Sequence, residues 1–341
     1  MNNKTIAQMA GVSLSTVSKI INNYSDVSEE TRNRVLEIMR KNGYTPTPSL
    51  KKSNLIVVIF AGKQNVDFTH PFFNEVLNSF KKQIGILGYD LLFLTNTKTG
   101  DEDYLSRCQA YQVAGCIIIS GQDLEPSIDA LDQSDIPCLG VDIKLTGKNS
   151  GHIMSDNYKL TSKVVEHFYL KGYRDLGYIG SSTLSSISNI RESGYRDAME
   201  ALGLTINPDW FVNGSDFFEQ SGYDAMKQIL QAETLPRAIF AASDLLAIGA
   251  MRAIEEHNLK IPDDIAIIGC DDIEACKYVQ PSLTTMRQNK EKLGILSALM
   301  LYDLINNQSS MSSFVVEPEL VIRNSCGNHS GSYGLYSEMQ G

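Results

Sequence analysis

Apolar residues recur at helical spacing along the first fifty residues of the chain. Two short amphipathic patterns meet at Ala10-Gly11-Val12, where Gly11 permits a sharp turn and Ser13 can cap the second helix. The residues expected to face inward are Ile6, Ala7, Met9, Val17, Ile20 and Ile21. This arrangement predicts a helix-turn-helix, and the outward face of its second helix carries Ser15, Thr16, Ser18 and Lys19.

A third helical pattern follows the first two. Ser28 is placed as its N-cap, Glu29 and Glu30 lie in its first turn, and Gly43 ends it. Its apolar stripe consists of Val35, Leu36, Ile38 and Met39. This spacing suits a DNA-binding helix-turn-helix and a general three-helix bundle with a polar face about equally, so it leaves both possibilities open.

From Leu55 onward, apolar runs alternate with longer amphipathic stretches, which is typical of strand–helix units in a parallel sheet. Apolarity is continuous within each run, so both faces of each sheet are expected to be covered. Two such series predict two doubly wound subdomains with a cleft between them, where ligands collect at the carboxyl ends of the strands. The runs are LIVVIFA, YDLLFLT, GCIIIS and IPCLGVD in the first series, and DLGYIG, RAIFAAS and DIAIIGCD in the second.

Polar and aromatic side chains that follow these runs suit a sugar site. Carboxylates and guanidinium groups make charge-assisted hydrogen bonds to vicinal hydroxyls, and aromatic faces contact the apolar side of a sugar ring. Each candidate also has an ordinary alternative, because an Asp at a strand end often caps the next helix and an aromatic pair often belongs to the core. The candidates are Asp142, Ser243, Asp244, Asp271, Arg191, Phe72, Phe73 and Phe217.

The net charge of −10 is unevenly distributed. Residues 1–52 hold eight Lys or Arg against four Asp or Glu, which gives this part +4 and the rest of the chain −14. A basic segment on an acidic body favours a nucleic-acid contact at the amino end. The prolines of TPTPSLKKSN predict an extended linker, and the Gly- and Ser-rich residues 328–341 predict a disordered tail.

Several classes of protein are disfavoured by the sequence. It holds no apolar run long enough for a membrane span and no signal-peptide pattern, so we expect a cytoplasmic location. Its six cysteines form no CxxC pair and are expected to be reduced and mostly buried. No nucleotide-binding, hydrolase or metalloprotease motif is present, so we expect no metal, no cofactor and no enzyme activity.

The stretch AGVSLSTVSKIINNYSDVSEETRNRVLEIMRKNGYTP closely resembles the DNA-binding headpiece of the LacI/GalR repressor family, most specifically in AGVS, TVS and VSEETR. The resemblance implies that Leu14, Ser15 and Lys19 read bases, and that Ser13, Thr16, Ser18 and Asn22 contact the DNA backbone. The linker departs from the family pattern, because it is shorter, contains Pro48 and lacks the usual Ala-Arg pair. Leu50 is the candidate for the leucine that relatives insert into the minor groove, and we expect weaker operator bending than is usual for the family.

The resemblance extends over the rest of the chain and implies a core of the periplasmic-binding-protein type. In such a core the chain passes between the two subdomains three times, here near Asp156, Leu283 and Glu317. The fold class is therefore an all-α helix-turn-helix headpiece followed by an α/β core of two doubly wound parallel-sheet subdomains. The resemblance also implies effector contacts at Gln288 and at seven of the candidates named above: Asp142, Ser243, Asp271, Arg191, Phe72, Phe73 and Phe217. The expected segments are a headpiece at 1–46, a linker at 47–54, a core at 55–327 and a tail at 328–341. Within the core, one subdomain comprises 55–158 and 285–316, and the other comprises 159–284 and 317–327.

These observations lead to one interpretation with two alternatives. The preferred one is a cytoplasmic homodimeric repressor that binds a pseudo-palindromic operator and responds to a sugar or sugar phosphate in the cleft. The absence of the carboxy-terminal leucine heptad that makes some relatives tetrameric favours the dimer. The alternatives are a cytoplasmic sugar-binding protein without regulatory DNA binding, and an enzyme on the same core.

Overall fold

The computed structural model describes residues 2–21, 27–44, 53–60, 68–94, 103–119, 125–182, 186–308 and 313–327. The chain divides into two compact units, Met1–Ser53 and Asn54–Gly341. Four sequence predictions fall largely or wholly outside the described residues: those for Asn22, for Leu50, for most of the linker at 47–54 and for the tail at 328–341.

The amino-terminal unit contains three helices, α1 (Asn3–Ala10), α2 (Leu14–Ile21) and α3 (Glu29–Lys41). Gly11 ends α1 with a φ of 64°, a left-handed conformation that glycine adopts without strain. The Ser13 hydroxyl accepts a hydrogen bond from the Thr16 amide at 3.0 Å, and Ser28 caps α3 in the same way. The helices enclose one small core: Ile6, Ala7, Ala10, Val17, Ile20, Val35 and Met39.

Two residues predicted to face this core do not. Met9 is 51% exposed and Leu36 is 39% exposed, so the apolar stripes of α1 and α3 are narrower than the sequence indicated. In helices as short as α1, the period of 3.6 residues places neighbouring positions near the edge of the buried face, and packing decides which of them is covered.

The second unit contains two six-stranded sheets. Its strands are β1 (Leu55–Phe60), β2 (Asp90–Phe93), β3 (Gly115–Ile119), β4 (Cys138–Val141), β5 (Ser150–Ser155), β6 (Leu176–Ser181), β7 (Phe211–Gly214), β8 (Ala238–Ala241), β9 (Ala266–Cys270), β10 (Thr284–Arg287), β11 (Ser313–Val316) and β12 (Glu319–Val321). The first sheet has the order β11-β5-β4-β3-β1-β2, and all of its pairings are parallel. The second has the order β12-β10-β9-β8-β6-β7, in which β12 pairs antiparallel to β10.

The helices of this unit are α4 (Pro71–Ile86), α5 (Tyr104–Ala110), α6 (Pro126–Asp132), α7 (Asn157–Leu170), α8 (Ser186–Ala201), α9 (Glu219–Ile229), α10 (Asp244–Glu256) and α11 (Lys290–Ile305), with 3-10 turns at Pro208–Trp210 and Glu274–Lys277. We name the first sheet with α4, α5, α6 and α11 the first lobe, and the second sheet with α7–α10 the second lobe. Alternate residues of β1 pack into separate apolar clusters on the two faces of the first sheet. Burial of both faces explains why the strand sequences are continuously apolar.

The chain passes between the lobes after β5, after β10 and between β11 and β12. Because β10 pairs with β9 and β12, residues 284–287 lie in the second sheet. The second passage therefore follows Arg287, and not the boundary predicted between 284 and 285. That boundary was misplaced because β10, TTMR, lacks the apolar run that marks the other central strands.

Glycines allow the paired helices to approach closely. A Cβ atom added to Gly249 of α10 would lie 1.9 Å from the Glu219 carbonyl oxygen of α9, and one added to Gly294 of α11 would lie 2.3 Å from the Val76 carbonyl oxygen of α4. Each of these helix pairs covers one face of its sheet as one tightly packed layer. No helix in the described part of the chain has the length and apolarity that crossing a membrane requires.

We expect Gly249→Ala to lower the free energy of unfolding by about 1–3 kcal/mol, because the added methyl group meets backbone that cannot move aside easily. Gly85→Ala is the matched control, since Gly85 is also helical and has nothing within 4 Å of an added Cβ atom. It should stabilise the protein by about 0.5–1 kcal/mol through its higher helix propensity. Thermal or urea denaturation of both variants measures the difference, and equal stability of the two would contradict this packing argument.

Candidate functional site

A cavity lies between the lobes where strands of both sheets end, and its empty space together with the adjoining open solvent amounts to about 510 Å³. From the first lobe come residues that follow β1 and β4, and from the second lobe come residues that follow β6 to β10. Parallel strands of one sheet end at one edge, so residues far apart in sequence meet here. The lining residues are His70, Phe72, Phe73, Asp142, Ile187, Arg191, Phe217, Phe218, Ser243, Asp271 and Gln288.

Arg191 places a buried guanidinium group at this cavity. Its side chain is 4% exposed; Nε donates to Oδ1 of Asn157 at 2.8 Å, and Nη1 donates to the Ala242 carbonyl oxygen at 2.5 Å. Asn157 is itself fixed, because its Nδ2 donates to the Ser155 carbonyl oxygen at 3.0 Å. The guanidinium orientation is therefore set by the protein, and its remaining N–H groups can serve a bound molecule.

Asp142 brings a buried carboxylate from the first lobe. Burial raises its pKa to about 7, a rise that the nearby Arg191 opposes and the Asp271 carboxylate reinforces. Its φ of 56° is also unusual for a residue other than glycine. A carboxylate in such an environment is costly for stability, which is typical of residues that serve a ligand.

Asp271 and Gln288 face the cavity from the ends of β9 and β10. The Gln288 Nε2 group donates to Asp271 Oδ1 at 2.7 Å, so these side chains hold one another in place. Asp271 has a φ of 119°, and this second positive φ at the cavity again marks backbone strain at a strand end.

Three buried polar atoms of the lining residues have no hydrogen-bond partner within the protein: Nδ1 of His70, Oδ1 of Asp142 and Oε1 of Gln288. Buried polar atoms are nearly always paired in folded proteins, because an unpaired one costs about 1–3 kcal/mol. Two of the three are oxygen atoms: Gln288 Oε1 always accepts hydrogen bonds, and Asp142 Oδ1 accepts when its carboxyl group is ionised, so the arrangement suits a molecule that presents O–H or N–H donors.

Aromatic rings form much of the remaining wall. The Phe72 and Phe73 rings lie edge to face, with centroids 4.9 Å apart. The centroid of the His70 ring lies 5.2 Å from that of Phe73 in the first lobe and 5.5 Å from that of Phe218 in the second lobe. Burial lowers the pKa of His70, so its ring is neutral at pH 7.

Ser243 and Asp244 differ in position although they are adjacent. Ser243 lines the cavity, while its hydroxyl donates to the Phe217 carbonyl oxygen at 2.8 Å and accepts from the Leu246 amide at 3.1 Å. Asp244 is fully buried and is not part of the lining; its carboxylate accepts from Thr285 Oγ1 at 2.6 Å and from the Ile273 amide at 2.9 Å. Asp244 therefore stabilises the chain at the ends of β9 and β10 and does not face the cavity.

Seven sequence candidates thus line the cavity together with Gln288, and His70, Ile187 and Phe218 join them although they were not among the candidates predicted from the sequence. His70 could have been found, because it precedes Pro71 directly at the start of the helix that carries Phe72 and Phe73. The role of Asn157 had no local signal, since it depends on the approach of α8.

The amino-terminal unit presents a separate polar surface on α2. Ser13, Leu14, Ser15 and Lys19 are exposed, and Thr16 and Ser18 are half-buried. Leu14 is 53% exposed, which places an apolar side chain beside hydroxyl and ammonium groups. Such a mixture can contact thymine methyl groups, base edges and phosphates.

Other chemistry is limited in the described part of the chain. All six cysteines are free and buried. Among the described residues, no group of three or more His, Cys, Asp or Glu side chains is placed to hold a metal ion.

Comparison with known proteins finds a family match in each of the two units. Residues 4–47 match the family "bacterial regulatory proteins, lacI family", and residues 165–326 match the periplasmic binding protein-like domain. The HTH-type transcriptional repressor PurR of Pasteurella multocida (strain Pm70) is 33% identical over 332 residues, covering 94% of this chain and 97% of that protein.

Solved structures show the same architecture. A lac repressor dimer bound to operator and the anti-inducer ONPF is 26% identical, with a TM-score of 0.72 over 94% of this chain and 97% of that chain. A complex of the transcriptional regulator CelR with cellobiose, at 24% identity and a TM-score of 0.73, covers 95% of this chain and 99% of that chain and shares the fold.

The relatives matched over nearly the whole chain are repressors and not enzymes, as the sequence indicated. The predicted fold class and family are both confirmed. The chain belongs to the lacI family of bacterial regulatory proteins, and it is a transcriptional repressor with an amino-terminal DNA-binding domain and a periplasmic-binding-protein-like effector-binding domain.

Proposed function

We propose that this repressor acts in the cytoplasm as a homodimer on a pseudo-palindromic operator of carbohydrate-utilisation genes. A small sugar bound in the cavity between the lobes changes its affinity for the operator. The observation that carries the effector proposal is the set of unpaired polar atoms on His70, Asp142 and Gln288, together with the Arg191 guanidinium and the phenylalanine rings. This combination supports recognition of a polyol with an apolar ring face.

The charges in the cavity favour an unphosphorylated sugar. Arg191 is the cation among the lining residues, and two of its N–H groups already bind protein oxygens. Asp142 and Asp271 oppose it with two carboxyl groups, and His70 is neutral. A phosphate dianion would therefore meet one partly occupied guanidinium and at least one carboxylate, which is an unfavourable balance.

The proposed domain organisation follows the sequence prediction with one shift. The DNA-binding headpiece ends near residue 46, and the two lobes act as the effector-binding subdomains. We propose that the passage after β10 lies at Gln288-Asn289, and the pairing of residues 284–287 within the second sheet supports this.

A second candidate effector is a flat heteroaromatic molecule of nucleobase size. The observation in its favour is the number of phenylalanine side chains in the lining, Phe72, Phe73, Phe217 and Phe218. Such a molecule also carries N–H donors for the acceptor oxygens of Asp142 and Gln288.

Lys19→Ala should weaken operator binding by about 1–3 kcal/mol, roughly fivefold to 150-fold, because a base-reading ammonium on α2 is lost. The measurement is fluorescence anisotropy with the inverted-repeat duplex that the wild-type protein enriches from a random library. Lys82→Ala, which removes an exposed ammonium from α4 of the core, is the matched control and should bind normally. An unchanged ratio of operator to random-DNA affinity in Lys19→Ala would show that this residue does not read bases.

A panel of sugars, their phosphates and nucleobases, added to the operator complex, should contain an unphosphorylated compound that changes operator affinity. The phosphate ester of that compound should bind at least tenfold more weakly, because the Arg191 guanidinium is already bound to two protein oxygens and faces the carboxyl groups of Asp142 and Asp271. Arg191→Lys should lose the response, since an ammonium cannot reproduce the contacts of the guanidinium fork. If no compound altered operator binding, the metabolite switch would be excluded, and a stronger response to a phosphate ester would overturn the charge argument.

Asp142→Asn should stabilise the unliganded protein at pH 8 while abolishing the effector response. A raised carboxyl pKa in the folded state means that Asp142 favours folding below its unfolded pKa and loses this contribution as the pH rises to about 7. The stability gain from Asn should therefore be larger at pH 8 than at pH 5, by about 2 kcal/mol.

Thermal denaturation at the two pH values measures this difference. Asp129→Asn is the control, because Asp129 is exposed on α6 of the same lobe and should change stability little at either pH. A gain from Asp142→Asn that is the same at pH 5 and pH 8 would argue against a raised pKa of this carboxyl group.

A further inference from the structure

Lys290 is a buried lysine in an unfavourable place. It is the first residue of α11, and its side chain is 8% exposed. The amino end of a helix carries a partial positive charge, so a cation there is disfavoured, and burial of an ammonium group adds a second cost. Specific contacts must offset both.

The contacts of the Lys290 ammonium group join three segments from two lobes. Nζ donates to the Asp271 carbonyl oxygen at 2.8 Å and also to the Asp272 carbonyl oxygen, both in the segment that follows β9 of the second lobe. Nζ also lies 3.5 Å from Oε2 of Glu75, which belongs to α4 of the first lobe. The helix that carries Lys290 packs against α4 through a shared apolar cluster.

The segment that Lys290 holds is strained. Asp271 and Asp272 are consecutive and have φ values of 119° and 54°, which residues other than glycine rarely adopt. Other anchors of this segment come from the second lobe. Arg287 and Arg323 bind the Asp272 carboxylate at 2.7 Å and 2.5 Å, and Asp244 accepts from the Ile273 amide. Lys290 differs from them because it reaches the segment from the first lobe.

Both lobes present cavity residues next to these contacts. Asp271 lines the cavity with its carboxylate while its carbonyl group binds Lys290. Phe72 and Phe73 line the opposite wall from the first turn of α4, the helix that also carries Glu75. The Lys290 ammonium group therefore contacts the backbone of one cavity wall and a side chain of the helix that carries residues of the other wall.

We propose that Lys290 is a positioning residue that couples the Asp271 wall of the cavity to the α4–α11 pair of the first lobe. Its relevance to effector response rests on the proposed function, whereas the mechanical coupling itself does not. A residue that served only as an anchor for the strained segment would fix residues 271–273 and leave α4 unaffected. A coupling residue affects both.

Hydrogen–deuterium exchange of the full-length protein, without DNA or effector, tests the coupling. Lys290→Met keeps the length of the side chain and removes its donors, and it should accelerate amide exchange about tenfold both in 271–274 and in the first two turns of α4. Lys292→Met is the matched control, because Lys292 is exposed on the same helix, and it should change neither region. Acceleration confined to 271–274, or absent from both regions, would overturn the proposal.

A second variant keeps the test decisive if Lys290→Met does not fold. Glu75→Gln alters the partner in the first lobe, whose side chain is 47% exposed, and leaves every contact of the second lobe in place. It should still accelerate exchange in 271–274, by a smaller factor, because the ammonium group loses its ionic partner. Unchanged exchange in 271–274 would refute the coupling. Since neither readout involves DNA or a ligand, a failed coupling is distinguishable from a failed effector proposal.

Discussion

Burial of charged groups at the carboxyl ends of parallel strands is the constraint on which the core of this repressor depends. Strand ends of the two sheets meet between the lobes, and this places Arg191, Asp142 and Asp271 within one partly enclosed cavity. Removal from water would destabilise each of them alone. The core tolerates them because neighbouring carbonyl, amide and ammonium groups are fixed around them.

The charged residues of the cavity differ in whether the protein supplies hydrogen-bond partners for them. Arg191 and Asp271 are held by protein partners, namely Asn157, the Ala242 carbonyl group and Gln288. Asp142 Oδ1 has none, and burial raises the pKa of this residue to about 7. A structure selected for stability alone would pair or replace such a carboxyl group, so the imbalance fits a site that a ligand completes.

The helices of the lobes around the cavity are closely packed. Glycines such as Gly249 and Gly294 bring neighbouring helices into backbone contact, so the α9–α10 pair and the α4–α11 pair each pack as one layer against one face of their sheet. Rigid layers suit a binding protein, because a change at the cavity is then transmitted as movement of a whole lobe and is not absorbed locally. The contacts of Lys290 with both lobes lie at the place where such movement would be transmitted.

The residue pattern was sufficient to predict the helix-turn-helix, the two series of strands and most of the residues that line the cavity. Its local signals are strong, because the turn at Gly11 has a steric requirement and strands covered on both faces must be continuously apolar. The sequence did not predict β5, β7, β10, β11 and β12, because these strands are short or partly polar. The predicted passage between the lobes after β10 was misplaced for this reason.

Which polar residues share the cavity depends on long-range packing and could not be predicted from local sequence. Asp244 and Asp271 both follow an apolar run, yet Asp244 supports the backbone while Asp271 faces the cavity. Likewise, nothing local distinguishes Lys290 from Lys292, although one is buried against two lobes and the other is exposed. The physical reason is that side-chain environment depends on which distant segment packs alongside, and the periodicity of a single segment carries no information about its neighbours.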